Sequence, residues 1–142
     1  NTQIESIFLV AHVHPPHYAH FGPPRVAHFD PPKVVYYARF LHLFSENKDD
    51  MDSGMLEDII AQAGSYIFEV ARRNYGGKYY WFDQLNQPIL VTGQPEFEIS
   101  ILAFEKVKQR IENGTEDNIP FFFAGYSERV KKGKKGDRAM IT

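Results

Sequence analysis

The sequence predicts an α+β domain: a small antiparallel sheet of about three strands packed with four helices, preceded by an extended proline-rich segment. Three observations point there. Apolar residues recur at three- and four-residue intervals over 56–70 and again over 102–111, as helices with one buried face require. Between them, the aromatic run Lys78–Phe82 and the β-branched run Pro88–Thr92 flank a short polar connection, the pattern of a β-hairpin. The chain has 142 residues, a length that suits one domain over 1–142.

The elements follow in order. The first residues are polar and then run Ile7-Phe8-Leu9-Val10-Ala11. A run this short suits a buried strand, and a helical turn ending before Pro15 fits almost as well. No charged region precedes it, so it does not read as a signal peptide, although the absence of a first methionine is compatible with a removed leader. From His12 to Val35 the chain divides into three octads, HVHPPHYA, HFGPPRVA and HFDPPKVV, each opening on histidine and carrying Pro-Pro at its fourth and fifth positions. Each Pro-Pro removes two backbone donors and favours polyproline II, which argues against a sheet or helix over 12–35. The octads are too apolar for a plain linker, so they are expected to lie extended against a hydrophobic surface, their own or a partner's.

Asp30-Pro31-Pro32 has the form of a helix start, and Val34, Tyr37, Leu41 and Phe44 share one face, which predicts a helix at about 31–46. Polar residues 45–54 predict a loop. The next helix carries Leu56, Ile59, Ile60, Ala63, Ile67 and Val70 on its stripe, with Asp52 or Ser53 to cap it and Gly76-Gly77 to end it. Gly64 lies in its middle at a cost of about 1 kcal/mol relative to alanine, so a close crossing by another element is expected there. The hairpin is predicted with a five-residue connection, 83–87, and a third strand at about 97–101 follows the Gly93-Gln94-Pro95 turn. Leu102, Val107 and Ile111 mark a helix that stops at Asn113-Gly114, and Asn118-Ile119-Pro120 opens a last helix with Phe121, Phe122, Phe123, Tyr126 and Val130 available for burial. Residues 129–142 read as a basic tail, mobile and solvated, with Gly133 and Gly136 interrupting its charges.

Composition removes several function classes. Hydrophobic residues make up 43% and charged residues 24%, the balance of a water-soluble globular domain. With no cysteine there is no disulfide framework, thiolate nucleophile or iron–sulfur cluster. The net charge of −2 gives no global nucleic-acid signal, and Ile7–Val13 is too short to span a bilayer. A cytoplasmic protein with no nucleic-acid partner and no membrane span is expected.

The chemistry-bearing residues are few. His12, His14, His17 and His20 can be read as a cluster for zinc, nickel or copper, since polyproline II geometry puts the last three on one edge about 9 Å apart. Nothing in the spacing selects a carboxylate to complete such a site, so rings packed within a proline-rich strip are the leading reading and no cofactor is expected. Glu69 with Arg73 reads as an ordinary i,i+4 pair. Lys106, Lys108 and Arg110 alternate with Glu105 and Glu112 as on a solvated face. Gly76-Gly77 runs from helix into strand, the reverse of a phosphate loop, and no G-x-S-x-G elbow occurs. Aromatics reach 15% without a catalytic constellation, which makes Tyr36, Tyr37, Tyr79, Tyr80 and Trp81, with the octad strip, the expected contact region.

Two stretches carry a resemblance. Gly64-Ser65-Tyr66-Ile67-Phe68-Glu69-Val70 is followed by Gly76-Gly77-Lys78-Tyr79, and the second block runs from Ala103-Phe104-Glu105-Lys106-Val107 through Arg110-Ile111-Glu112-Asn113-Gly114 to Glu116-Asp117-Asn118-Ile119. This resembles small bacterial proteins of unknown function with a G-x-Y-x-G-E-V helix, a G-G-K-W hairpin start and a P-F-x-K-V-x-K-R-I-E-N-G segment. It covers about residues 56–123; Phe68, Tyr79 and Ala103 depart from it, and the octads lie outside it. The resemblance implies an α+β domain and carries over no catalytic residue. By analogy of type it implies a non-enzymatic accessory or immunity protein that binds another protein. Self-association through the Pro-rich segment is a further expectation, and a divalent-metal-binding protein is the alternative.

Overall fold

Residues 41–142 are described by a computed structural model. The octads, the four clustered histidines, Tyr36, Tyr37 and the first part of the helix expected at 31–46 lie outside the described residues.

Residues 41–46 are helical, and a 3-10 turn, Lys48–Asp50, leads on. Helix α1, Ser53–Tyr75, starts where Asp52 accepts a hydrogen bond from the Met55 amide at 2.8 Å, satisfying one of the free donors of the first turn. It ends at Gly76, whose φ of 72° is open to glycine and whose amide donates to the Arg72 carbonyl at 2.7 Å. Strands β1, Lys78–Phe82, and β2, Gln87–Thr92, form the expected hairpin. Its register pairs Phe82 with Gln87, so the connection is 83–86, one residue shorter than expected, with Asn86 at φ 48° making the turn. Strand β3, Glu98–Ile101, pairs antiparallel with β2. Helix α2, Ala103–Asn113, stops at Gly114, and after the 3-10 turn Gly114–Glu116 helix α3 covers Ile119–Lys131. Asn118 caps α3 by accepting from the Phe121 amide at 2.9 Å.

The class is α+β as expected, but among the described residues the sheet has four strands, not three, and is mixed. Strand β4, Arg138–Ile141, pairs parallel with β3 and places the order at β1-β2-β3-β4. The end of the chain is therefore not a free tail. The Glu98 amide donates to the Asp137 carbonyl at 2.9 Å and the Leu102 amide to the Ile141 carbonyl at 3.1 Å. A four-residue strand with two inward side chains, Ala139 and Ile141, has almost no periodic signal of its own.

Strand alternation sends Tyr79, Leu90, Ile99, Ile101, Ala139 and Ile141 to one face of the sheet, where α1, α2 and α3 pack. Ile67, Phe68 and Ala71 of α1, Val107 and Ile111 of α2, and Phe122, Phe123 and Tyr126 of α3 fill that core, with Leu41 beside them. The other face holds a smaller cluster of Ile89, Val91 and Leu102 with Phe82, to which α1, α2 and α3 contribute nothing. Gly64 has the role its position predicted. A Cβ there would stand 2.9 Å from Cε1 of Phe104 and 3.2 Å from its Cα, so α1 and α2 cross where only a hydrogen fits. Beneath the crossing, Phe68 meets Tyr79 edge-on at 5.6 Å and Phe104 in a tilted contact at 5.7 Å.

A buried hydroxyl chain joins α1, β2 and α3. Thr92 Oγ1 donates to the Gly76 carbonyl at 3.1 Å, and the Tyr126 hydroxyl, 2.7 Å away, donates in turn to Thr92. Burial pushes the Tyr126 phenol up to about 12, so it keeps its proton. Among the described residues no helix is long and apolar enough to cross a membrane.

Candidate functional site

Alternation along β1 separates the aromatic residues that the sequence grouped. Tyr79 turns to the core, half-buried against Phe68, and its hydroxyl donates to Glu69 Oε2 at 3.0 Å. Tyr80 turns to the opposite face, 40% exposed, and its hydroxyl donates to Gln94 Oε1 at 2.9 Å. Trp81 is partly buried opposite Pro88. Among the described residues β1 pairs only with β2, so its outer edge carries main-chain groups without a strand partner. Of the three expected contact residues that are described, Tyr80 is the open one, Tyr79 is structural and Trp81 is partly buried; Tyr36 and Tyr37 lie outside the described residues.

Glu69 makes the expected i,i+4 ion pair with Arg73 and, in addition, a closer one within the same helix. Its main partner is Arg72, which approaches with two prongs, Nε to Oε2 at 2.7 Å and Nη2 to Oε1 at 3.0 Å, while Arg73 stands off at 3.7 Å. The Glu69 side chain is only 12% exposed. Burial alone would raise its pKa, but the hydrogen bonds from Arg72 and Tyr79 and the two guanidinium charges outweigh it and hold the carboxyl below the usual range. Burial and the Glu69 charge push the Tyr79 phenol up. At neutral pH the glutamate is ionised and the tyrosine keeps its proton, and their hydrogen bond clamps α1 to β1.

That clamp carries a pH signature. A carboxyl with a lower pKa folded than unfolded adds stability that is complete above the unfolded value, about 4.3, and is lost as pH falls through the folded value. Urea unfolding measured over a series of pH values should show the decline from about pH 5 downward becoming shallower in Glu69→Gln than in the wild type.

Lys106 and Arg110 overturn the expectation of a solvated face on α2. They are 9% and 5% exposed, while Lys108 alone of the three is open. Lys106 Nζ donates to Asp117 Oδ1 at 2.8 Å and lies 5.7 Å from the centre of the Phe122 ring. Asn113 Nδ2 donates to the other Asp117 oxygen at 2.8 Å, and the Lys106 and Asn113 hydrogen bonds hold that carboxyl below its ordinary range. Arg110 Nη1 is buried without a hydrogen-bond partner among the described residues. Positions 106 and 110 lie four apart beside Val107 and Ile111, so their aliphatic stems extend the apolar stripe. That spacing was the available signal, and the alternating charges concealed it.

The basic segment is fixed by a set of local contacts that the sequence did not announce. The Phe97 ring sits against both Gly93 and Gly133, and a Cβ on Gly133 would stand 2.8 Å from Phe97 Cε2. Gly136 takes φ 90° and its amide donates to the Glu96 carbonyl at 2.8 Å. Asp137 Oδ2 accepts from the Lys134 amide at 2.9 Å. The two glycines, read as interruptions of a mobile tail, are thus where the chain is pinned. Between α3 and β4 this leaves a cleft of about 240 Å³ lined by Ile99, Arg129, Lys132, Asp137, Arg138 and Ala139.

Among the described residues no group of three or more histidine, aspartate or glutamate side chains is gathered to hold a metal ion. His12, His14, His17 and His20 lie outside them. Comparison with family models, curated proteins and solved structures finds no match to this chain.

Proposed function

We propose that the protein is a non-enzymatic binding protein of the accessory or immunity type, which contacts another protein along the β1 edge. The observation that carries this reading is the β1 edge, which has no strand partner among the described residues and shows Tyr80 to solvent. Exposed strand edges are ordinarily blunted by charge, proline or a bulge. Here the strand Lys78-Tyr79-Tyr80-Trp81-Phe82 has one lysine at its start and aromatics along the rest. Tyr and Trp supply contact area with few rotatable bonds, and an extended partner segment would complete the edge through main-chain hydrogen bonds. Three buried or half-buried ionisable groups, Glu69, Lys106 and Asp117, are each committed to a partner, which supports the non-enzymatic part. The resemblance to small bacterial proteins supports the accessory or immunity type.

The test compares Tyr80→Glu with Leu85→Glu, a control on the exposed hairpin turn. Proteins captured by the wild-type chain are expected to be retained by Leu85→Glu and lost by Tyr80→Glu, with both variants folded by circular dichroism. A captured set that is unchanged in Tyr80→Glu, or a wild-type chain that captures nothing, overturns the proposal.

A further inference from the structure

We infer that the cleft between α3 and β4 is a second contact site, which docks a short acidic segment of a partner protein. It lies at the opposite edge of the sheet from β1 and does not rest on the reading of that strand.

Charge is the first argument. Arg129 to Arg138 holds six basic residues and one acid, a charge of +5, so the remaining residues carry −2 − 5 = −7. Arg129, Lys131, Lys134 and Lys135 have no ion pair among the described residues. Lys132 is paired with Glu128 and Arg138 with Glu98, both in exposed positions where such pairs are weak and exchangeable. The one carboxylate in the cleft, Asp137, is engaged by the Lys134 amide.

Preorganisation is the second. A mobile basic tail loses chain entropy on binding. This segment is already held by the Phe97 contact with Gly133, by the Gly136 and Asp137 backbone hydrogen bonds and by pairing of β4 with β3. Arg129 and Arg138 both line this one cleft, and a guanidinium is a planar fork that suits a carboxylate.

The shape of the cleft selects the kind of anion. Ile99 and Ala139 also line it, so the cleft offers apolar contact beside its charges. A cleft of about 240 Å³ admits one or two side chains. Among the described residues no aromatic lines it for base stacking, which a single-stranded nucleic acid would use. A long polyanion would also meet the −7 of the rest of the chain, whereas a short acidic segment feels chiefly the charges within about 10 Å.

The experiment is fluorescence anisotropy with the full chain and a short fluorescein-labelled peptide of alternating glutamate and leucine. Two double variants remove equal charge: Arg129→Ala with Arg138→Ala inside the cleft, and Lys131→Ala with Lys135→Ala outside it. The arginine pair is expected to weaken binding by about tenfold or more, equivalent to about 1.4 kcal/mol, and the lysine pair by far less. All four side chains are exposed, and thermal melts check that both variants fold; Arg129→Ala alone serves if the arginine pair does not. Equal weakening by the two pairs, no binding by the wild type, or tighter binding of a labelled single-stranded DNA that displaces the peptide would overturn the inference.

Discussion

Phe68→Ala is expected to lower the free energy of unfolding by about 4 kcal/mol. Phe68 is fully buried and is the ring on which two helices and the sheet converge, with Tyr79 edge-on to one side and Phe104 tilted on another. Truncation removes the transfer free energy of the ring and leaves a cavity that its neighbours cannot refill, because α1 and α2 are already as close as Gly64 allows. Stability of a domain this size is about 5–15 kcal/mol in total, so the variant should retain little of it. Guanidinium unfolding would show the midpoint falling with the slope unchanged, the mark of lost stability rather than an altered unfolded state. Phe121→Ala is the control: Phe121 is 81% exposed, and its loss should stay within about 0.5 kcal/mol. Comparable losses at the two positions would contradict the core described above.

Gly64→Val is expected to cost about 3 kcal/mol. Helix propensity favours valine over glycine by a few tenths of a kcal/mol, so a loss must come from tertiary contact. A Cβ at 64 meets the Phe104 ring and, at 3.2 Å, its Cα, and that backbone atom cannot swing aside as the end of a flexible side chain can. The helices must therefore separate, which loosens the packing of Phe68 and Phe104 together. Gly125→Ala makes the opposite prediction. That glycine lies in α3 and a Cβ there meets nothing within 4 Å, so alanine should stabilise by about 1 kcal/mol through propensity alone. Chemical denaturation of both variants separates the two effects, since a rise at both positions would mean that α1 and α2 are not in contact at 64.

The elements that were legible in the sequence are those whose signals are local. Helix α1 announced itself through its stripe, the Asp52 cap and the glycine stop, and the structure uses each of them. Asn118 and Pro120 likewise marked the start of α3, where the side chain caps and proline loses no needed donor. The close crossing at Gly64 was inferable because a glycine inside a strong helix has a cost that packing must offset. Strand β4 was not legible, because its backbone partners belong to β3, far back in the chain. Nor was the burial of Lys106 and Arg110, since sequence shows the charge but not that Asp117 and Phe122 wait beside the stem of Lys106. The aromatic residues of β1 were recognised by type. Which of them faces out depends on register with β2, and only Tyr80 proved open.

By itself, then, the sequence determined the α+β class, the helix ends, the hairpin and the absence of thiol chemistry, all of which rest on composition, periodicity and hydrogen bonds a few residues apart. Only the tertiary structure decided the fourth strand, the burial of Lys106 and the character of the basic segment. The physical reason is the same in each case. Arg129 to Arg138 would be a solvated, mobile charge run if it had only its own residues to bond with, and it becomes a fixed surface because β3 supplies backbone partners and Phe97 supplies a ring for Gly133 to close on.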